Sequence, residues 1–342
     1  MNRSAAFLAL VFFTLLLTPG TVFAQRGSRS QGETVEIRLA SPMPRNSDWG
    51  RTMDRIAAEW ARATNNEVRM RVIHDGVEGG EAKMLSSMSA NNIQGALFTT
   101  FGLSAICRPV MTLSVPFMIK DDAELELVLN DVLPVLEDQI SRTNFVIIAW
   151  SKSGWVNVFS KEPVFVPEDL RRQKIATNPQ SVELNQVFKT MGFHLVELES
   201  MDLAPKLANN MINAIYQSPA AVAPLGLQKQ LKNMLEVPIA PFLGGIVLNR
   251  VTWNKISPER QQELLRLTRR IAAEFDTSMP KTVNSALAMM QRDGLTVNRV
   301  SPAQEEQWRQ ETYRAVPPLL GTTFDRDLYQ KISEILDKSR NR

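Results

Sequence analysis

The reactive side chains of this chain are few, and none stands at a spacing that supports catalysis. Its two histidines, His74 and His194, lie far apart with no companion motif of metal-ligand spacing, which excludes a histidine-based zinc site. The single cysteine, Cys107 in Leu103-Ser-Ala-Ile-Cys-Arg-Pro, has no base near it in sequence and reads as a small buried residue. A hydrolase triad needs a serine on a sharp turn with an oriented base, and no Gly-x-Ser-x-Gly elbow occurs. Asp75-Gly-Val-Glu-Gly-Gly-Glu is rich in glycine but lacks the Gly-Lys-Ser/Thr ending that gives a phosphate loop its lysine and metal-binding hydroxyl. The residues therefore point away from an enzyme, and to no cofactor or metal.

The elements alternate. Val35-Glu-Ile-Arg-Leu has the two-residue period of a strand with one covered face, and Met53, Ile56, Ala57, Trp60 and Ala63 recur at helical spacing. Val68 to Ile73 returns to the strand period. The same order continues through Gly80 to Met88, Gly95 to Thr99, Ala123 to Ile140 and Phe145 to Trp150, which favours α/β lobes. A second set starts near Gly154, with strands at Trp155 to Phe159 and Lys174 to Ala176, and a helix from Gln180 to Met191 closed by Gly192. Phe242 to Leu248 reads as a return strand. From Ser257 onward the chain is mostly helical: Ser257-Pro258 and Ser301 with Gln304 are start signals, Pro317-Pro318 is a break, and Phe324 to Ser339 is a last helix. Arg171, Arg172 and Lys174 read as a solvated turn.

The N-terminus carries Arg3, an uncharged run from Ala5 to Leu17, then Thr18-Pro19-Gly20 and Val22-Phe23-Ala24, the pattern of a secretory signal cut after Ala24. A retained anchor is the rival reading, but an apolar core of about 13 residues falls short of the roughly 20 that span hydrocarbon. Export with one cysteine leaves no internal disulfide, so stability must come from packing. With 44% hydrophobic residues the chain is globular, and its 39 Lys and Arg are interleaved with 36 Asp and Glu, leaving no basic block for nucleic acid.

One stretch is more specific. Val166-Pro-Glu-Asp-Leu-Arg-Arg-Gln-Lys-Ile-Ala-Thr-Asn continues through Met191-Gly-Phe-His-Leu-Val-Glu-Leu to Leu207-Ala-Asn-Asn-Met-Ile-Asn-Ala-Ile-Tyr-Gln-Ser-Pro. This layout resembles the extracytoplasmic substrate-binding proteins of TRAP transporters, the DctP-type periplasmic family, as do Pro116-Phe117 and the glycine segment before Glu81, where a loop turns into a helix lining the cleft. The resemblance covers roughly residues 33 to 300. It implies a two-lobed α/β periplasmic-binding architecture with discontinuous lobes and a helical C-terminal region. The division expected is 1–24 signal peptide, 25–34 flexible leader, 35–152 with 241–283 as lobe one, and 153–240 with 284–342 as lobe two with bracing helices.

The resemblance also implies an arginine that grips a ligand carboxylate, a planar fork matched to that group. Here its position is Ala176. A second cationic position aligns with Val156, and an acid-bearing pattern becomes Ile212-Asn213-Ala214-Ile215-Tyr216-Gln217. A carboxylate entering such a cleft lacks a partner, and an unpaired buried ion is costly. The expected ligand is therefore neutral or hydrophobic, lined by Trp155, Val156, Ala176, Met191, Tyr216 and Phe242 and oriented by Asn178, Asn213 and Gln217. Arg45, Arg108 and Lys152 are the residues that would restore a cation and an organic-acid ligand. The implied partners are TRAP-type permease subunits and a helical-repeat (tetratricopeptide) periplasmic protein. A secreted hydrolase or isomerase on a similar fold, and a receptor that signals to a sensor, are the competing classes.

Overall fold

The computed structural model describes residues 34–179, 181–198 and 202–341. The signal, cleavage-site and leader readings fall almost wholly on residues 1–33, outside the described part. The first half runs β1 (Val35–Ala40), α1 (Asp48–Ala63), β2 (Val68–Ile73), α2 (Glu81–Ser89), β3 (Gly95–Thr99), α3 (Thr100–Ile106), α4 (Asp122–Ser141) and β4 (Phe145–Ser160). There follow α5 (Pro167–Arg171), β5 (Lys174–Thr177), α6 (Val182–Thr190), β6 (His194–Glu197), α7 (Leu203–Ala208), β7 (Ala214–Gln217), α8 (Pro219–Val222) and β8 (Asn233–Leu235). The chain then returns through β9 (Ala240–Asn249), α9 (Arg250–Trp253), α10 (Pro258–Arg292), β10 (Thr296–Asn298), α11 (Pro302–Ala315) and α12 (Arg326–Arg340).

Strand order is β2-β1-β3-β9-β4-β7-β5-β6, with β8 on β4 and β10 on β8. The β1 pairs are parallel, as βαβ crossovers require, and β9 runs antiparallel to β3 and β4. Sequence periodicity reads residues 145–150 and 155–159 as two strands. They form one, because Gly154 adopts φ +89 within a shift of register between Lys152 and Trp155, so the ladder bends and resumes. β4 thus pairs with β9 in the first lobe and with β7 and β8 in the second.

One strand consequently feeds four apolar clusters. Ile147 packs under α4, Ile148 and Ala149 pack against α1 and α10, Val158 meets Phe188 and Trp308, and Phe159 joins Ile212 and Leu231. Buried indoles are satisfied: Trp60 Nε1 donates to Thr268 Oγ1 at 2.8 Å and Trp49 Nε1 to Ser153 Oγ at 3.1 Å. Ser257 caps α10, the helix passes Pro280, and its length carries it from Phe275 in one cluster to Met290 in another. The Ser301–Gln304 capping box starts α11.

Two sequence readings need correction. Residues 284–342 do not all belong to the second lobe, because Leu328, Ile332 and Leu336 of α12 are buried under α4 in the first. Nor is Arg171 a solvated turn residue: its guanidinium pairs with Glu311 at 2.6 Å and donates to the Met191 carbonyl at 3.1 Å, tying α5 to α11.

Candidate functional site

A cavity of about 460 Å³ opens between the two lobes. The first lobe contributes the Pro42–Met43 loop, the start of α2 at Gly80–Ala82, and the β3–α3 junction from Thr99 to Gly102. The second contributes Val156, Ala176, Thr177, Asn178, Tyr216 and Gln217, with Pro241 and Phe242 entering from β9. Its size falls in the usual range for small-molecule sites.

Of the nine residues singled out from sequence, six surround this cavity: Val156, Ala176, Asn178, Tyr216, Gln217 and Phe242. Both positions where the resemblance puts cations, Ala176 and Val156, are in its wall. Ala176 pairs with Val196 of the edge strand β6 on one side and Ile215 of β7 on the other, and the Asn178 carbonyl accepts from Asn185 Nδ2 at 3.0 Å. The ring of Tyr216 stands edge-on to Phe188 at 5.2 Å, and burial pushes its phenol pKa up.

The other three lie elsewhere. Trp155 packs on the first-lobe core and donates to Asp122 Oδ1 at 2.8 Å, on the opposite side of β4 from Val156. Met191 is the buried C-cap of α6. Asn213 serves the sheet, its Oδ1 accepting from the Lys174 N–H.

Among the described residues, no lysine or arginine lines the cavity. Arg45 pairs with Asp54 at 3.4 Å, Lys152 with Glu126 at 2.6 Å, and Arg108 is exposed away from it. The charged group that does line it, Glu81, escaped the sequence reading as a site residue. Its signal was the glycine pair before it, which marks the turn into α2. Thr99 donates to it from both its N–H and its hydroxyl, the latter at 3.0 Å, and the Gly102 N–H also points at it. Burial raises the carboxyl above its ordinary range, against the pull of these hydrogen bonds. Thr177 was missed as well: it lines the cavity, is 7% exposed, and its hydroxyl has no partner in the protein.

The other reactive groups are accounted for structurally. His74 Nε2 contacts Asp54 at 2.8 Å, His194 is exposed at the start of β6, and Cys107 is buried with its thiol pushed up by that burial. Among the described residues there is no group of His, Cys, Asp and Glu that could hold a metal ion, and no helix long and apolar enough to cross a membrane.

No curated protein matches the chain. Solved structures do. A TRAP periplasmic solute-binding protein from Ralstonia eutropha, crystallised with (S)-2-acetolactate, superposes with a TM-score of 0.81 at 18% identity, covering 89% of this chain and 99% of that one. Its counterpart from Desulfovibrio salexigens, with bound orotic acid, gives 0.80 at 16% identity over 90% and 99%. The succinate-bound protein from Sulfurospirillum deleyianum gives 0.78 at 18% over 88% and 98%. At these identities the likeness shows the two-lobed fold. The family described as bacterial extracellular solute-binding protein, family 7, matches residues 39–318. Its members are periplasmic receptors that bind small molecules for TRAP-type permeases, and the chain belongs to this DctP family.

Proposed function

We propose that this protein captures a neutral or largely apolar small molecule between its lobes and delivers it to a TRAP-type permease. The observation that carries the reading is the wall of the cavity, which has Ala176 and Val156 at the positions expected to be cationic and no lysine or arginine among its described residues. A carboxylate held there would be a buried ion facing another acid, Glu81, and such a pairing is strongly unfavourable. The apolar and amide lining around Tyr216, Phe242, Asn178 and Gln217 suits a ligand held by surface burial and a few hydrogen bonds.

Closure would follow from contacts made to both lobes at once, with hinge motion in β4 and β9 and lobe boundaries near 152/153 and 240/241. The helical-repeat periplasmic partner belongs to the same reading, and chemical cross-linking in cells tests it.

The second reading is an organic-acid receptor, favoured by the acetolactate, succinate and orotic acid held by the structural neighbours. Native mass spectrometry of the purified protein, followed by organic extraction, separates the two. An uncharged or apolar compound at high occupancy is expected. Recovery of a dicarboxylate, keto acid or sugar acid would sink the proposal.

A further inference from the structure

We infer that Glu81 and Thr177 form a polar clamp on the two sides of the cleft, selecting a ligand whose apolar body carries an uncharged hydrogen-bond donor, a hydroxyl or amide N–H. This rests on the reading of the cleft as a site for a neutral molecule, and it adds what that molecule must present.

The first half of the clamp follows from what surrounds Glu81. It enters at the first turn of α2, and three donors converge on it from the β3–α3 junction: the Thr99 N–H, the Thr99 hydroxyl and the Gly102 N–H. The Thr99 hydroxyl is itself committed, since it accepts from the Phe101 N–H at 3.3 Å and so donates to Glu81. These three donors pull the carboxyl down while burial, with no cation beside it, raises it above its ordinary range. N–H groups that begin α3 are thereby already answered by an acid of the chain itself, and an acidic ligand meets an occupied acceptor where it would need donors. A carboxylate has about four acceptor positions, of which three are used here, leaving room for one donor from a ligand.

Thr177 supplies the second half from β5. Its hydroxyl is buried without a protein partner beside the cavity, and an unpaired buried polar group is costly until something answers it. A ligand hydroxyl or amide can donate to Glu81 and accept from Thr177, whereas an ionised ligand carboxylate has no proton to donate to Glu81. Ala176 and Val156 flank these groups with apolar wall, which accommodates the rest of the molecule.

The test is calorimetric titration of the purified protein with a matched eight-carbon series: octan-1-ol, octanamide, octanoate and octylamine. The alcohol and amide are expected to bind at least about tenfold more tightly than octanoate. Glu81→Gln should bring octanoate to within about threefold of the alcohol, since the amide keeps the shape and can donate an N–H to a carboxylate. The Thr99 hydroxyl retains a lone pair to accept from that amide, so the junction stays bonded. Thr177→Val should weaken the alcohol and amide about tenfold, and Thr177→Ser, which keeps the hydroxyl, should restore them, separating a binding role from a packing one.

Octanoate binding tightest to the unaltered protein would overturn the neutral-ligand reading and the clamp with it. A neutral preference that survives unchanged in both Glu81→Gln and Thr177→Val would overturn the clamp alone. Octylamine binding tightest, or no member binding, would also overturn it.

Discussion

Asp276 lies on α10 one turn before Pro280, and its Oδ1 accepts from the Ser151 hydroxyl at 2.7 Å and the Lys152 N–H at 2.8 Å. These are the residues of β4 just before its bend. Burial raises the carboxyl from 3.8 to about 6, although both hydrogen bonds and the Lys152 charge pull it down; Glu126 adds to the rise. An acid with a raised folded pKa binds its proton more tightly when folded. Its contribution to stability is therefore full below about 3.8 and is lost as the pH rises through about 6. The gap between those values corresponds to at most about 3 kcal/mol. Asp276→Asn removes the ionisation yet retains an oxygen for both hydrogen bonds. Between about pH 4 and pH 7.5 the variant should gain on the parent by up to about 3 kcal/mol, or roughly 5–10 °C in Tm. Thermal melts of both proteins across that range read the effect. A difference in Tm that is the same at the two ends would refute the argument, because a purely steric or packing change carries no pH dependence.

Other perturbations probe other parts. Ala176→Arg puts a cation into the apolar wall and should lower occupancy by the native ligand at least about tenfold in native mass spectra, through the cost of desolvating that charge; unchanged occupancy would count against its place in the site. Arg340 of α12 binds the buried Glu124 through Nε and Nη2, both at 2.8 Å. Burial raises the Glu124 carboxyl, but Arg340 and the Lys120 N–H outweigh it and hold it below its ordinary range, so this support is present above the unfolded pKa and is lost as pH falls. Arg340→Ala should cost about 2 kcal/mol near neutrality and less in acid, as read from urea midpoints at both pH values. Gly154→Ala forces a side chain into φ +89 and within 3.3 Å of Val283, and should lower stability by about 1–2 kcal/mol in the same assay.

The alternation of strands and helices was legible in the sequence because it rests on periodicity, which is local. The span of β4 was not, since Gly154 looks like a boundary unless the partners on both sides are known. α12 was misplaced for a similar reason: an amphipathic stripe says that a helix packs, not on what. At the cavity, Val156 and Ala176 were found through motif spacing. Trp155 goes with Val156 in sequence although neighbours on a strand point to opposite faces, and Met191 stands out by type and Asn213 by its place in the motif, while a helix cap and a bond to the start of β5 claim them. Glu81 and Thr177 carry no such signal: an acid at a helix start and a hydroxyl at a strand end have ordinary roles, and only tertiary contact tells which role applies.

β4 places Ile147, Ile148, Val158 and Phe159 in four separate apolar clusters. No cluster can then melt without dragging on a strand the others depend on. The two lobes should unfold together, giving one calorimetric peak rather than two, and a protease that nicks a loop in either lobe should find the pieces still held by a shared spine. Such a spine would let two halves shift against each other without giving either the freedom to come apart.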